Sequence, residues 1–87
     1  MSDARVIRIT GAGIVNSGSV VNVVGVQVIG GTAADGAVLY NDTSAVAGNK
    51  WLQVTGGTFV DLSIQLRFEN LYVSLGTGAT EVLIHVV

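Results

Sequence analysis

Apolar and polar positions alternate with a period of two along most of the chain, and that pattern predicts strands. Residues 58–68 are the clearest case: Val60, Leu62, Ile64, Leu66 and Phe68 point one way, and Asp61, Ser63, Gln65 and Arg67 the other. In residues 4–10, Ile7 and Ile9 share one face, and Val6, Arg8 and Thr10 share the opposite one. Residues 70–75 put Leu71, Val73 and Leu75 inward. Residues 80–87 put Val82, Ile84 and Val86 inward and Glu81, Leu83 and His85 outward. Shorter strands are predicted over 14–16, 37–40 and 50–55. β-Branched residues dominate these runs; they pack well on a pleated surface and lose side-chain freedom in a helix.

The longest run, residues 19–29, departs from simple alternation. Val20, Val24, Val26 and Val28 share one phase, broken by Asn22. Val21, Val23 and Ile29 share the other with Gly25 and Gln27. Two apolar faces predict a central strand, or one whose second face is covered by a neighbouring chain. Gly25 is a candidate bulge. Between the runs, the 12 glycines act as punctuation in a chain without proline. Gly56-Gly57 reads as a tight turn, and Gly76-Thr77-Gly78 as a hairpin turn joining the last two strands. The whole predicts one all-β domain over residues 1–87, a β-sandwich of about seven to eight antiparallel strands with jelly-roll-like topology. Residues 1–4 are expected to form a flexible N-terminal arm.

Composition adds a constraint that periodicity does not. A domain of 87 residues buries only about 60–65% of its unfolded surface. It has no cysteine for disulfides, and its single histidine cannot build a zinc site. Oligomerisation is the remaining reinforcement. Hydrophobic residues make up 49% of the chain and charged ones 11%, against about 25% charged in an average soluble domain. So few charges cannot cover the surface, and apolar area left outside marks contact with other chains. The expected partner is a second copy. The expected contact residues are Val21 and Val23 on the second face of the long strand, Leu83 and Val87 beside the C-terminal edge, and Trp51.

Net charge is -2, and Arg5, Arg8, Lys50 and Arg67 are scattered, so the clustered cations that grip a phosphate backbone are missing. Residues 20–29 are the longest apolar stretch, interrupted by Asn22, Gly25 and Gln27. That is about half of what a spanning helix requires. Neither nucleic acid nor membrane is expected as a partner. Residues 1–5 lack the features of a signal peptide, which predicts synthesis in a cytoplasm.

Candidate chemistry is sparse. His85 is the one side chain with a near-neutral unperturbed pKa, but no nucleophile-elbow motif accompanies it, and a position on the outer face of a terminal strand suits a surface role. Asp35, Asp42, Asp61, Glu69 and Glu81 read as solvated carboxylates, because a sandwich this small has little material for a sugar cleft. Gly11-Ala12-Gly13 lacks the helix that a dinucleotide fingerprint requires. No catalytic residue, metal or cofactor is assigned. Tyr40, Asp42, Asn49 and Trp51 flank a polar segment and form a possible ligand loop, with rings to stack on a sugar and polar groups for its hydroxyls. The competing reading packs Tyr40 and Trp51 on the core or an interface, and composition favours it.

Three segments carry a resemblance: Val6-Ile7-Arg8-Ile9-Thr10-Gly11-Ala12-Gly13, Ala37-Val38-Leu39-Tyr40-Asn41-Asp42-Thr43-Ser44-Ala45, and Phe68-Glu69-Asn70-Leu71-Tyr72-Val73-Ser74-Leu75-Gly76-Thr77-Gly78 with Glu81-Val82. Together they resemble the small virion structural proteins of tailed bacteriophages, among them capsid-decoration and tail-associated components. The resemblance implies a β-sandwich that sits as a trimer on the capsid exterior, bound to the major capsid protein or another virion protein, as cement. It implies no catalytic residue. A tail or fibre module that binds a receptor or carbohydrate is the alternative it leaves open.

Overall fold

β-Branched, proline-free segments punctuated by glycine leave the backbone one way to satisfy its polar groups, which is lateral pairing. The computed structural model describes residues 5–16 and 20–87. The predicted arm at residues 1–4 lies outside the described residues. Eight strands form among the described residues: β1 (Arg5–Ile9), β2 (Gly13–Asn16), β3 (Val21–Ile29), β4 (Ala37–Asn41), β5 (Lys50–Val54), β6 (Phe59–Phe68), β7 (Leu71–Leu75) and β8 (Glu81–Val86). One 3-10 turn, Ala47–Asn49, precedes β5.

The strands build two four-stranded antiparallel sheets, β1-β8-β3-β6 and β2-β7-β4-β5. The chain doubles back between β4 and β5, so that β3 meets β6, β2 meets β7 and β1 meets β8. This long ribbon then curls until β8 also lies on β3 and β7 on β4. That strand order is a jelly roll. Only the β4–β5 connection stays within one sheet; every other connection crosses between them.

The crossing corrects one expectation. Gly76-Thr77-Gly78 does not close a hairpin, since β7 and β8 belong to different sheets. The segment is an arch. The Gly76 N–H donates to the Gly36 carbonyl at the start of β4, and the Thr80 N–H and hydroxyl donate to the Ile29 carbonyl at the end of β3. Gly30, Gly31 and Gly78 adopt positive φ here, a conformation that glycine takes without steric cost.

Between the sheets lies a core of valine, leucine, isoleucine and Phe68, and no polar or charged side chain is buried among the described residues. β3 supplies Val21, Val23, Val26 and Val28 together. Strict alternation cannot place those four on one side. A bulge does it: Val24 stands outside the register with β8 and with β6, so the phase switches between Val23 and Gly25. Val21 and Val23 are therefore buried core residues, not contact residues for a neighbour, and the expected interface role is corrected for both.

The same region overturns one position of β6. Leu62, Ser63, Ile64 and Gln65 stand between the paired Asp61 and Leu66, opposite the single Val24. The strand bows away from its neighbour there. Ile64, expected inward from its phase, is 72% exposed.

Candidate interaction surface

The polar segment after β4 is organised by its own acid. One Asp42 oxygen accepts from the Thr43 N–H at 2.6 Å and more weakly from the Thr43 hydroxyl. The other accepts from the Asn49 amide at 2.7 Å. These donors, Asn49 first and then the Thr43 backbone, favour the ionised form and hold the carboxyl below its ordinary value of 3.8. Asn41 reaches the other way. Its side-chain oxygen accepts from the Glu69 N–H at 3.0 Å, tying the end of β4 to the turn between β6 and β7. Asp42 and Asn49 thus serve loop closure.

The two rings of the possible ligand loop do not converge. Tyr40 alternates with the buried Leu39, so it lies on the outer face of its sheet. There it pairs with Tyr72 across β4 and β7, with the rings edge-on at 6.0 Å. Trp51 is the extra residue of a bulge, between the pairs Leu39–Leu52 and Tyr40–Lys50. Its ring lies 5.2 Å from that of Phe68, a core residue of the opposite sheet. Trp51 therefore covers the open end of the sandwich between β5 and β6, and stays 47% exposed. Tyr40 and Trp51 occupy opposite sides of one sheet.

The outer face of β1-β8-β3-β6 differs from an ordinary solvated sheet face. Register sets Arg8, Leu83, Gln27 and Phe59 in one row and Val6, His85, Gly25 and Asp61 in the next, with Glu81 and Ile29 beyond. Val6 is 54% exposed, Phe59 52% and Ile29 36%. Gly25 leaves a gap on β3 that the Phe59 ring fills, at 3.3 Å from where a Cβ would sit. The ring meets His85 edge-on at 5.4 Å, an arrangement that suits an aromatic quadrupole. Under that cover the His85 Nε2 has no hydrogen-bond partner. The charged side of the face is the Arg8–Glu81 pair at 2.7 Å.

Leu83 is half-buried in this face. Val87, also half-buried, prolongs β8, and its N–H donates to the Asn22 carbonyl of β3 at 3.1 Å. Phe59, Val6 and Ile29 are members of the face that were not among the expected contact residues, and Phe59 had the clearest signal. The available signal was an aromatic in the polar phase of β6, alongside Asp61 and Ser63. No group of three or more histidine, aspartate or glutamate side chains is placed to hold a metal among the described residues. Among them, too, no helix is long and apolar enough to cross a membrane. Comparison of the chain with protein families, curated proteins and solved structures gives no match.

Proposed function

We propose that the chain is a structural subunit that acts by burying the outer face of β1-β8-β3-β6 against a neighbouring protein. The observation that carries this reading is the trio Val6, Ile29 and Phe59, each at least one-third exposed on a single sheet face around Leu83. Covering apolar area contributes about 25 cal/mol per Å², so such a face binds another surface in preference to water. The role requires no catalytic group and no cofactor.

With the resemblance noted above, the proposed assembly is a tailed-phage particle and the proposed role a capsid cement or decoration protein on its exterior. Its partners would be other copies, as a trimer in the resembled proteins, and the major capsid protein or another virion protein. The carbohydrate-binding alternative gains no support from Tyr40, Asp42, Asn49 and Trp51, whose rings face apart and whose acid is engaged by its own loop.

The test is quantitative mass spectrometry of purified particles together with binding of the purified chain to particles stripped of it. The chain is expected in the particles at a fixed copy number. Phe59→Glu is expected to abolish rebinding while leaving the fold intact. Particles without the chain, or unchanged rebinding by the variant, would overturn the reading.

A further inference from the structure

The sandwich has four edge strands: β1 and β6 in one sheet, β2 and β5 in the other. An exposed edge invites another strand to pair with it, and proteins blunt edges with bulges. Three of the four are blunted. β2 loses register between Ile14 and Asn16, β5 carries the Trp51 bulge, and β6 bows out over residues 62–65. β1 alone pairs without interruption, from Arg5 opposite Val86 to Ile9 opposite Val82. The two ends of the sandwich differ as well. Trp51 covers the β5–β6 end, while at the β1–β2 end Ile7, Ile9 and Val15 pack on the core but remain partly exposed among the described residues.

We propose that β1 is a strand-addition edge, and that its occupant is β1 of a second copy, paired antiparallel about a two-fold axis at Ile7. This develops the homo-oligomer part of the reading above, with a two-fold pair in place of the trimer of the resembled proteins; it does not depend on a phage particle. The choice of a second copy rests on self-complementarity. An antiparallel pair of identical strands centred on Ile7 sets Ile7 against Ile7, Arg5 against Ile9 and Val6 against Arg8 of the second copy. All five residues of the strand pair, and no arginine faces an arginine. Arg8 is already neutralised by Glu81. The partly exposed Ile7 then continues the Ile84 row across the junction as Ile7 against Ile7, while each Ile9 is covered by the aliphatic stem of the second copy's Arg5. A registry centred on Arg8 would oppose like charges, and one centred on Val6 would leave Ile9 outside the pair.

The contact is isologous and closes after two copies. A five-residue ribbon is small against the about 1,200 Å² of a stable interface, so the pair is concentration-dependent in the isolated chain, and covalent trapping is the suitable readout. The chain has no cysteine, so single cysteines report cleanly. Facing positions of an antiparallel ribbon lie within disulfide reach.

Under mild oxidation at high concentration, Ile7→Cys is expected to convert mostly to a disulfide-linked dimer. A mixture of Val6→Cys and Arg8→Cys chains is expected to link several-fold more than either alone, and this pair serves should Ile7→Cys fail to fold. Ile14→Cys, half-exposed on the bulged β2 edge, is expected to stay monomeric. Absence of linkage in the mixture, or linkage no greater than that of Ile14→Cys, overturns the proposal. Because the experiment uses the chain alone, its failure leaves the particle reading standing, and absence of the chain from particles leaves this pairing standing.

Discussion

Phe68 and Ile64 share one strand and one phase, yet they sit at opposite extremes, with Phe68 fully buried and Ile64 mostly exposed. Removing the Phe68 ring opens a cavity that rigid sheets cannot close, so Phe68→Ala is expected to cost about 3–5 kcal/mol. Ile64→Ser is expected to change stability by less than about 0.5 kcal/mol. Urea midpoints at constant slope check both. The sequence marks each as an inward apolar residue, because the bow that separates them depends on the partner strand. Asp42 and Asn49 read in the sequence as polar members of a possible ligand loop; their bond to each other did not show there, and the bulge that turns Trp51 away from Tyr40 leaves no trace in residue type. Asp42 carries the pH prediction. Its folded pKa lies below 3.8, so its share of stability is present above pH 3.8 and is lost as pH falls through the depressed folded value. In an NMR titration Asn49→Ala, which removes the largest cause, is expected to move the carboxyl back up toward 3.8; an unmoved midpoint would assign the depression elsewhere.

Elements were largely visible in the pattern, and their neighbours were not. Alternation reports which side of a strand is apolar, and β7 and β8 both turn that side to the same core. A hairpin and an arch between two sheets therefore look alike in sequence, which is why Gly76-Thr77-Gly78 reads as a hairpin turn. The long β3 run is the reverse case: two apolar phases suggest two covered faces, whereas a bulge beside Gly25 merges them into one. What distinguishes an arch is close backbone approach, and the glycines record it. A Cβ on Gly36 would overlap the backbone of Gly56, whose N–H donates to the Ala33 carbonyl at 2.9 Å. Gly36→Ala is therefore expected to destabilise by about 1–3 kcal/mol, as overpacking does. Gly48, in the 3-10 turn, has nothing within 4 Å of its would-be Cβ and no positive φ. There alanine restricts the unfolded chain more than the folded one, and Gly48→Ala is expected to raise stability by about 0.4–1 kcal/mol. Thermal denaturation of the two variants side by side separates close approach from mere glycine content.

At the scale of the whole molecule, every sheet pairing except β4–β5 joins distant parts of the chain, and a sandwich of this length keeps few of its apolar groups far from water. Its inner faces are satisfied by each other. Its outer β1-β8-β3-β6 face and the regular β1 edge are satisfied only by water or by a second molecule. If copies associate through them, association and folding share one free energy. Each tenfold rise in chain concentration then favours the assembled state by about 1.4 kcal/mol per association step. For a dimer of domains this size that amounts to a rise in Tm of about 3–5 °C per decade of concentration. A chain that folds alone has a Tm independent of concentration. Scanning calorimetry from micromolar to millimolar chain is expected to show the upward drift. The slope is expected to fall for an Ile7→Lys variant, which sets two cations against each other at the centre of the ribbon, and to survive Gly48→Ala. A flat Tm for the unaltered chain across that range would mean that the exposed face and edge are tolerated by an isolated molecule.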